Sequence, residues 1–428
     1  MKTQLKKTTI LFFNLFLIIN SFGQNNSGIF GTENWLNNWT NFKPGLTEYK
    51  EATIILTGSI TENTTLSKKN TYLLTNTVYV INNAVLTIEP GTIIRGDNET
   101  CGTLVITKGA KIKAEGIETD PIIFTSNKPT SVRKSGDWGG IIILGDAPIN
   151  KFGGYSCLDF NLNNTSCGYG GTNEESNSGI LKYVRIEYCG RKINATKELN
   201  GLSLAGVGSK TILNFIQISY SNDDSFESYG GNLNLSNIIS YKATDDDFDF
   251  TQGAQCKINN SIAIRNPFIS DKSKSRCFEI DSYDNPENMD FTKKMTSIIA
   301  NNITLVNIED NNQGLVREAI YVKDKSKFIF ENSLISGFNS AIVIGFESLN
   351  KLKNIETISI KNSLINNCNL FSECEDKTNN IDYELEKSSY FINIQINKIT
   401  NVELFRENNI KKNPDFRIKE ISNMVYSK

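Results

Sequence analysis

The chain has 428 residues and contains no histidine. Histidine is the commonest general base of enzymes, a frequent ligand of zinc and copper, and the usual activator of serine and cysteine nucleophiles. Its absence therefore excludes those mechanisms and most sites for those metals. Any catalysis would have to use Asp, Glu, Lys, Arg or Tyr side chains.

An excess of charge of one sign is also missing. The 45 basic and 47 acidic residues give a net charge of −2, and no basic block interrupts the sequence. Proteins that bind nucleic acids carry a concentrated basic patch that neutralises phosphates. We therefore expect no nucleic-acid partner.

The sequence contains no apolar run long enough to span a membrane, and its longest apolar run lies near the amino terminus. There, three lysines precede a short apolar run over residues 10–19, and Ser21 and Gly23 supply small residues before the expected cleavage site. This pattern is typical of a signal peptide, and the run is too short to span a membrane comfortably. We expect residues 1–23 to be a signal peptide and the mature protein to be exported, without a transmembrane segment.

Cysteine is sparse, and the eight cysteines form no CxxC pair. An even number of cysteines in an exported protein favours disulfide bonds over a metal site. We predict local bridges between Cys157 and Cys167 and between Cys368 and Cys374, because each pair brackets a short loop-like segment. The other four cysteines cannot be paired from sequence, and buried free thiols are the alternative. These four are Cys101, Cys189, Cys256 and Cys277.

Helical periodicity is scarce in the body of the chain, and short strand-like runs replace it. Examples are TVYVI (77–81), TLVIT (103–107), PIIFTS (121–126) and NFIQISY (214–220). These runs are rich in β-branched and aromatic residues and are separated by Gly, Asn, Asp or Pro. The pattern predicts an all-β protein with many short strands.

The sequence repeats itself with a period in the low twenties. SNDDSFESYGG (221–231) and ATDDDFDFTQGA (243–254) align at an offset of 22 residues. One short coil per repeat is typical of a parallel β-helix, in which each coil buries its apolar side against the next. Abundant asparagine favours the same fold because it tolerates left-handed turns and can form stacked amide ladders. A β-sandwich or propeller is the alternative, but these rarely repeat a sequence in register.

Several motifs follow one another in a fixed order along the chain. They are LTIEPGTIIRGD (86–97), LVITKGAKIKAEGIETDPIIFTSN (104–127), GDWGGIIILGDAPIN (136–150), SGILKYVRIEYCG (178–190), SYSNDDSFE (219–227) and DDDFD (245–249). In this order they resemble a family of exported parallel β-helix proteins of Bacteroidetes, often described as lipoproteins or as cargo of the type IX secretion system. The resemblance covers about residues 35–310. It implies a right-handed, pectate-lyase-like parallel β-helix, and it implies no particular biochemical activity.

The repeat and the resemblance together predict the domain organisation. We expect an N-terminal cap and the first strands over 24–75, the β-helix core over 76–310, and further degenerate coils with a C-terminal cap over 311–428. The ending shows no type IX sorting pattern, so periplasmic, cell-surface and extracellular locations all stay open. Trp35 and Trp39 precede the first coil, and we expect them to cover its open end. An aromatic sugar-binding platform is the alternative role for this pair.

The register of the repeats predicts one acidic face. Leu202, Phe226, Phe248 and Phe278 align as an inward column, so the next position, occupied by Ser203, Glu227, Asp249 and Glu279, should point outward. Aspartates of the neighbouring turns and strand ends lie beside this column. The predicted metal-ligand set is Asp223, Asp224, Glu227, Asp245, Asp246, Asp249, Glu279 and Asp281.

Three explanations of this face compete. Calcium is one, because it binds six to eight oxygen ligands in flexible geometry. Solvated turns balanced by neighbouring cations such as Arg265 and Arg276 are the second. The third is catalysis, with Glu227 and Asp249 as acid and base on a polysaccharide, or with calcium holding a uronic acid for a lyase reaction. We expect a calcium-binding protein with a binding or structural role at the cell envelope, with glycans or envelope components as partners; the alternative is a polysaccharide-active enzyme.

Overall fold

The computed structural model describes residues 27–283, 285–309, 313–323, 325–345, 358–375 and 391–419. Within these ranges the regular structure is almost entirely β-strand, apart from three-residue 3-10 helices and the four-residue helix α1 (Asn401–Leu404). None of the helices in these ranges is long and apolar enough to cross a membrane. The predicted signal peptide, residues 1–23, lies outside the described residues.

The chain winds in successive coils, and the strands of these coils form two long parallel sheets. The first sheet stacks one strand from each successive coil. Its described strands are β2 (Ser59–Ile60), β5 (Thr77–Val80), β8 (Thr103–Ile106), β11 (Gly140–Leu144), β15 (Leu202–Ala205), β17 (Phe226–Tyr229), β19 (Phe248–Thr251), β22 (Phe278–Ile280), β25 (Glu318–Val322), β28 (Ser340–Ile344) and β31 (Leu370–Cys374).

The second sheet forms the other two sides of each coil, and three long strands run through the corner between these sides. Its described strands are β1 (Ile54–Leu56), β3 (Thr64–Leu66), β4 (Thr71–Leu74), β6 (Val85–Ile88), β7 (Ile93–Gly96), β9 (Lys111–Glu115), β10 (Ile122–Ser126), β14 (Gly179–Glu187), β16 (Ile212–Ser219), β18 (Asn232–Tyr241), β20 (Gln255–Asn259), β21 (Ile262–Arg265), β23 (Ser297–Asn301), β24 (Thr304–Asn307), β26 (Lys327–Glu331), β27 (Leu334–Ser336), β29 (Ile358–Lys361), β30 (Leu364–Asn366), β32 (Phe391–Ile392) and β33 (Gln395–Asn397). Two antiparallel pairs complete the fold, β12 (Ser156–Cys157) with β13 (Gly168–Tyr169) and β34 (Phe405–Glu407) with β35 (Asp415–Ile418).

This arrangement confirms the predicted all-β parallel β-helix. The core lies inside the coils, where apolar side chains stack from one coil to the next. The predicted inward column is in register: Leu202 pairs with Phe226, Phe226 with Phe248, and Phe248 with Phe278. The ring centroids of the three phenylalanines lie 5.6 and 5.0 Å apart. Stacking of like residues lets each short strand bury its apolar side without a long hydrophobic run.

Asparagine occupies one corner of the coil repeatedly, as the sequence predicted. Asn237, Asn260, Asn302, Asn332, Asn362 and Asn393 all have positive φ at this corner. Asparagine reaches the left-handed region more easily than most side chains, because its short amide bonds locally. Their amides also bond between coils, as Asn393 does to Asn362 at 3.0 Å.

The amino-terminal segment, residues 27–50, runs along the outside of the second sheet, and we call it the strap. Trp35 and Trp39 belong to it, and Trp39 packs edge-on against Tyr183 of β14 and Phe215 of β16. The expectation that the two tryptophans cover the end of the first coil is therefore wrong. Instead, both tryptophans contact aromatic rings on the side of the solenoid. Trp39 is fully buried there, so it cannot serve as a sugar-binding platform.

One of the two predicted disulfides forms. Cys157 and Cys167 are joined in the insertion between β11 and β14. The prediction of a bridge between Cys368 and Cys374 is wrong, since these two described residues are not bonded to each other. Cys368 follows β30 of the second sheet and Cys374 ends β31 of the first sheet, and both thiols are buried in the core as small apolar groups. Cys101, Cys189, Cys256 and Cys277 are free, which fits the alternative of buried thiols for most of them.

Candidate acidic site

The outer surface of the first sheet changes character along the solenoid. In its early coils Val105 and Ile142 point outward and are covered by Leu158 and Leu162 of the insertion between β11 and β14 and by Leu199 of the loop between β14 and β15. The covering apolar contacts reach as far as Tyr229, which packs against Phe160 and Tyr169. The carboxylates begin at this coil, so the insertion forms one border of the acidic surface.

The predicted outward column has the predicted order. Ser203 of β15 pairs with Glu227 of β17, Glu227 with Asp249 of β19, and Asp249 with Glu279 of β22. Adjacent parallel strands lie about 4.8 Å apart, so these side chains stand directly above one another. Turn residues before the strands and the residues two positions further along each strand extend the column into a surface.

Two triads of carboxylates form within this surface. Oxygens of Asp223, Asp224 and Asp245 lie within 4.8 Å of one another, and so do oxygens of Asp224, Glu227 and Asp249. Asp224 belongs to both triads, so the five residues make one continuous group. We call these five residues the carboxylate cluster. All five are among the eight predicted ligands.

The other three predicted ligands are occupied by protein partners. The Asp246 carboxylate accepts a hydrogen bond from the backbone N–H of Arg276. Glu279 forms ion pairs with Arg276 and Lys323. Asp281 accepts a hydrogen bond of 2.8 Å from the Thr251 hydroxyl. These three residues therefore border the carboxylate cluster on the side of the later coils, where basic residues begin.

The two cations proposed to balance the acidic face behave differently. Arg276 lies on the face, where it pairs with Glu279 and, at 3.0 Å, with Glu318. Arg265 points into the coil, and its Nη1 lies 3.3 Å from Oδ2 of the equally buried Asp247. The ion pair of Arg265 is internal, yet its charge also opposes the raised pKa of Asp245, which desolvation dominates, so Arg265 offsets part of the acidic face from inside the coil. Among the described residues, no ion pair joins a Lys or Arg to the four aspartates of the cluster, Asp223, Asp224, Asp245 and Asp249.

Burial and mutual repulsion disfavour the charged forms of these carboxyl groups. Desolvation raises the pKa of Asp223, Asp224 and Asp249 well above its usual value, and the charges of neighbouring carboxylates raise it further. The pKa of Asp245 is raised to about 6, by desolvation first and then by the charge of Asp271. Protonation or a bound cation would therefore relieve the repulsion within the cluster.

Two residues that the sequence analysis did not single out hold Glu227 in place. The Tyr229 hydroxyl and the Asn200 side-chain amide both donate hydrogen bonds to Glu227 Oε2. Asn200 also lies 3.3 Å from the Tyr229 hydroxyl. The coil register contains the signal for both, because Asn200 stands at the position of Asp224 one coil earlier and Tyr229 lies two residues beyond Glu227 on the same side of the strand.

A second structural role of the turn aspartates explains part of their repetition. The Asp224 carboxylate accepts the backbone N–H of Asp246 at 2.9 Å, and Asp246 accepts the N–H of Arg276 in the next coil. Each aspartate thus bonds a backbone N–H of the following turn. This ladder requires one carboxylate per turn, whereas the chain places two or three there, so the ladder alone does not account for the cluster.

Comparison with known proteins identifies the type of solenoid. Two solved structures align over 77% of this chain, the enzymatically active domain of tailspike protein 2 of bacteriophage CBA120 and the full-length tailspike protein 2 of an Escherichia coli O157:H7 bacteriophage. Their identities are 12% and 11%, the TM-score is 0.24 for each, and the chain spans only 42% and 38% of their lengths.

The search of curated proteins found no match. A family profile described as a pectate-lyase-like β-helix domain, by contrast, matches residues 58–410. The match begins just before β2 and continues beyond β33, so it includes the first sheet, the second sheet apart from β1, and the carboxylate cluster. The chain belongs to the family of pectate-lyase-like β-helix domains.

Proposed function

We propose that this protein is an exported β-helix that binds calcium at the carboxylate cluster and has a binding or structural role at the cell envelope. The observation that carries the proposal is the pair of carboxylate triads that share Asp224. The basic and apolar pattern of residues 1–23 supports export.

Electrostatics favours a bound cation over five adjacent carboxylates. Two ionised oxygens 4.8 Å apart repel each other by about 3 kcal/mol at an effective dielectric constant of about 20. Several such pairs coexist within the cluster, and no ion pair of the described residues involves its four aspartates. A divalent cation beside Asp224 would add attractions to the surrounding oxygens that outweigh these repulsions. Cation binding would therefore offset the electrostatic cost of placing the carboxylates together.

The chemistry of the donors favours calcium among the divalent cations. The ligand atoms on offer are carboxylate oxygens, and imidazole is absent from the sequence. Calcium accepts six to eight oxygens at about 2.3–2.6 Å in irregular geometry, whereas magnesium requires a near-octahedral shell and keeps several waters. Because the cluster faces outward, a bound calcium could also bind a carboxylate or hydroxyl group of a glycan. Such a bridge would give the face its binding role.

Calcium titration followed by thermal unfolding tests the proposal. We expect the melting temperature of the purified mature protein to rise with calcium, since a ligand at about 100 times its Kd adds about 2.7 kcal/mol to the free energy of unfolding. Asp224→Asn should lose most of this increase because it removes an oxygen from both triads. Glu62→Gln, a substitution at an exposed position in an early coil, is the matched control. An unchanged melting temperature in saturating calcium would contradict calcium binding at the carboxylate cluster.

One observation keeps a polysaccharide-active enzyme as the second candidate. Oxygens of Glu227 and Asp249 lie within 4.8 Å of each other, and the pKa of Asp249 is raised while Glu227 is held by two donors. Retaining glycosidases use two carboxyl groups about 5–5.5 Å apart, one as acid and one as nucleophile. Turnover of any polysaccharide in a panel, abolished in Glu227→Gln and kept in Glu331→Gln, would establish catalysis. Binding of a polysaccharide without turnover would support the binding role and contradict catalysis.

A further inference from the structure

A second concave site lies away from the carboxylate cluster. It occupies the corner where β17 and β19 end and the chain turns into β18 and β20, and its volume is about 420 Å³. Gly231 and Gly253 of these turns form part of its wall, together with Pro148 and Ile149 of the insertion. Known ligand pockets have volumes of about 300–1,000 Å³, so a sugar-sized molecule fits this space.

Glycines shape the wall of this cavity. Gly154 contributes to the wall with φ of +69°, and a Cβ atom there would lie 2.9 Å from Nζ of Lys293. Gly231 has φ of +91°, and a Cβ atom there would meet the Val207 carbonyl oxygen at 2.5 Å. A side chain at Gly154 would therefore press on Lys293, and a side chain at Gly231 would clash with the protein backbone behind the wall.

Lys293 brings a positive charge into the cavity. Its Nζ donates to the carbonyl oxygens of Lys151 at 3.0 Å and Ile149 at 3.5 Å. A lysine ammonium has three N–H donors, so one donor is left for a ligand. Among the described residues no carboxylate forms an ion pair with Lys293, and the two contacts to neutral carbonyls hold the ammonium in place without cancelling its charge.

The neighbouring charges are already matched. Lys294 and Glu174 also line the cavity, and their ion pair of 2.6 Å offsets both charges. The Asp290 carboxylate is close enough to feel the charge of Lys293, and it accepts hydrogen bonds from the backbone N–H and the hydroxyl of Thr292. Lys293 is thus the charge of the cavity that is available to an anionic group.

We propose that this cavity binds a carboxylate-bearing sugar, with the carboxylate on Lys293 and the apolar face of the ring against Pro148 and Ile149. Hydroxyl groups of Thr172 and Thr292 on the wall would meet the hydroxyls of the sugar. A charge-assisted hydrogen bond fixes the carboxylate, and the glycine backbone lets the ring approach closely. Binding at this cavity requires no calcium, so the proposal can be tested independently of calcium binding at the carboxylate cluster.

Calorimetric titration with glucuronate in the presence of EDTA tests the site, because EDTA silences any calcium-dependent binding elsewhere. Glucose, which has the same ring without the carboxylate, is the matched ligand and should bind at least tenfold more weakly. Lys293→Gln should weaken glucuronate binding at least tenfold, and Lys293→Arg should restore part of it. Lys361→Gln, on β29 in a late coil, is the control variant and should leave the affinity unchanged.

Hydrogen–deuterium exchange gives a readout that does not depend on any variant. Glucuronate should slow exchange in segments 148–154 and 290–296 of the unmodified protein and leave β29 unaffected. Absence of glucuronate binding in EDTA, equal binding of glucose, or unchanged affinity in a folded Lys293→Gln variant would each overturn the proposal.

Discussion

Asp224 joins the architecture and the candidate site in one side chain. Its carboxylate accepts the backbone N–H of Asp246, and the same carboxylate belongs to both triads. The hydrogen bond fixes the side chain toward the next coil, which brings its oxygens close to those of Asp245 and Asp249. The repeat therefore builds the cluster with the interaction that also links the turns. Asp224→Asn keeps a hydrogen-bond acceptor for the ladder and removes the negative charge.

The internal ion pair between Asp247 and Arg265 yields a prediction about stability. Both side chains are fully buried, and Asp247 also accepts a hydrogen bond from Ser240. Arg265→Met leaves a buried carboxylate without its cation, so we expect the free energy of unfolding to fall by about 3–5 kcal/mol. Urea denaturation followed by circular dichroism at a fixed calcium concentration measures this change.

A second substitution separates the lost ion pair from lost packing. Arg265→Met/Asp247→Asn removes the stranded charge, so it should be more stable than Arg265→Met alone. Lys361→Met breaks the half-exposed pair with Glu331 and should change the free energy of unfolding by less than about 1 kcal/mol. A double variant as unstable as the single variant would show that shape, and not charge, is what Arg265 contributes.

The strands and their register were the part of the molecule that the sequence could predict. The column from Ser203 to Glu279 followed from aligning two repeats, because stacked coils convert equal sequence offsets into direct neighbours in space. The predicted ligand set was accordingly placed on one face. The sequence did not show which carboxylates of this set form ion pairs with basic residues. Glu279, for example, pairs with Arg276 and Lys323, which reach it from turns whose conformation no repeat specifies.

The strap illustrates what a local pattern leaves out. Trp39 contacts strands that lie more than 140 residues further along the chain, and nothing in its own neighbourhood shows that β14 and β16 expose aromatic rings on that side. The strap continues to Tyr49, whose hydroxyl donates to the buried Glu187 at 3.0 Å. The strap therefore packs along the side of the solenoid and is held there by contacts with β14 and β16. The prediction of a disulfide between Cys368 and Cys374 failed for the same reason, because closeness in sequence does not place the two residues in the same sheet.

Across the whole molecule, opposite charges are nearly equal in number but unevenly placed. The net charge is −2, yet the carboxylate cluster gathers five acidic residues on one surface of the solenoid. Several exposed carboxylates elsewhere form ion pairs with lysines, such as Glu175 with Lys210 at 2.8 Å. The imbalance is local, so its effect on stability should depend on pH and on cations while the rest of the surface contributes little.

The pH dependence of thermal stability follows from the raised pKa values. Asp223, Asp224, Asp246 and Asp249 have pKa values well above 3.8 in the folded state, and the pKa of Asp245 is raised to about 6. The folded protein therefore binds more protons than the unfolded chain above pH 3.8. This contribution to stability is complete below the unfolded pKa and is lost as the pH rises through the folded values.

In EDTA we thus expect a lower melting temperature at about pH 7.5 than at about pH 5, measured by differential scanning calorimetry. Calcium competes with protons for the same oxygens, so it should raise the melting temperature more at the higher pH. Asp224→Asn/Asp249→Asn removes two of the titrating groups and should flatten both dependences, whereas Glu62→Gln should leave them as they are. A melting temperature that rises from pH 5 to pH 7.5 in EDTA would contradict the raised pKa values. A calcium effect of equal size at both pH values would place the ion outside the carboxylate cluster.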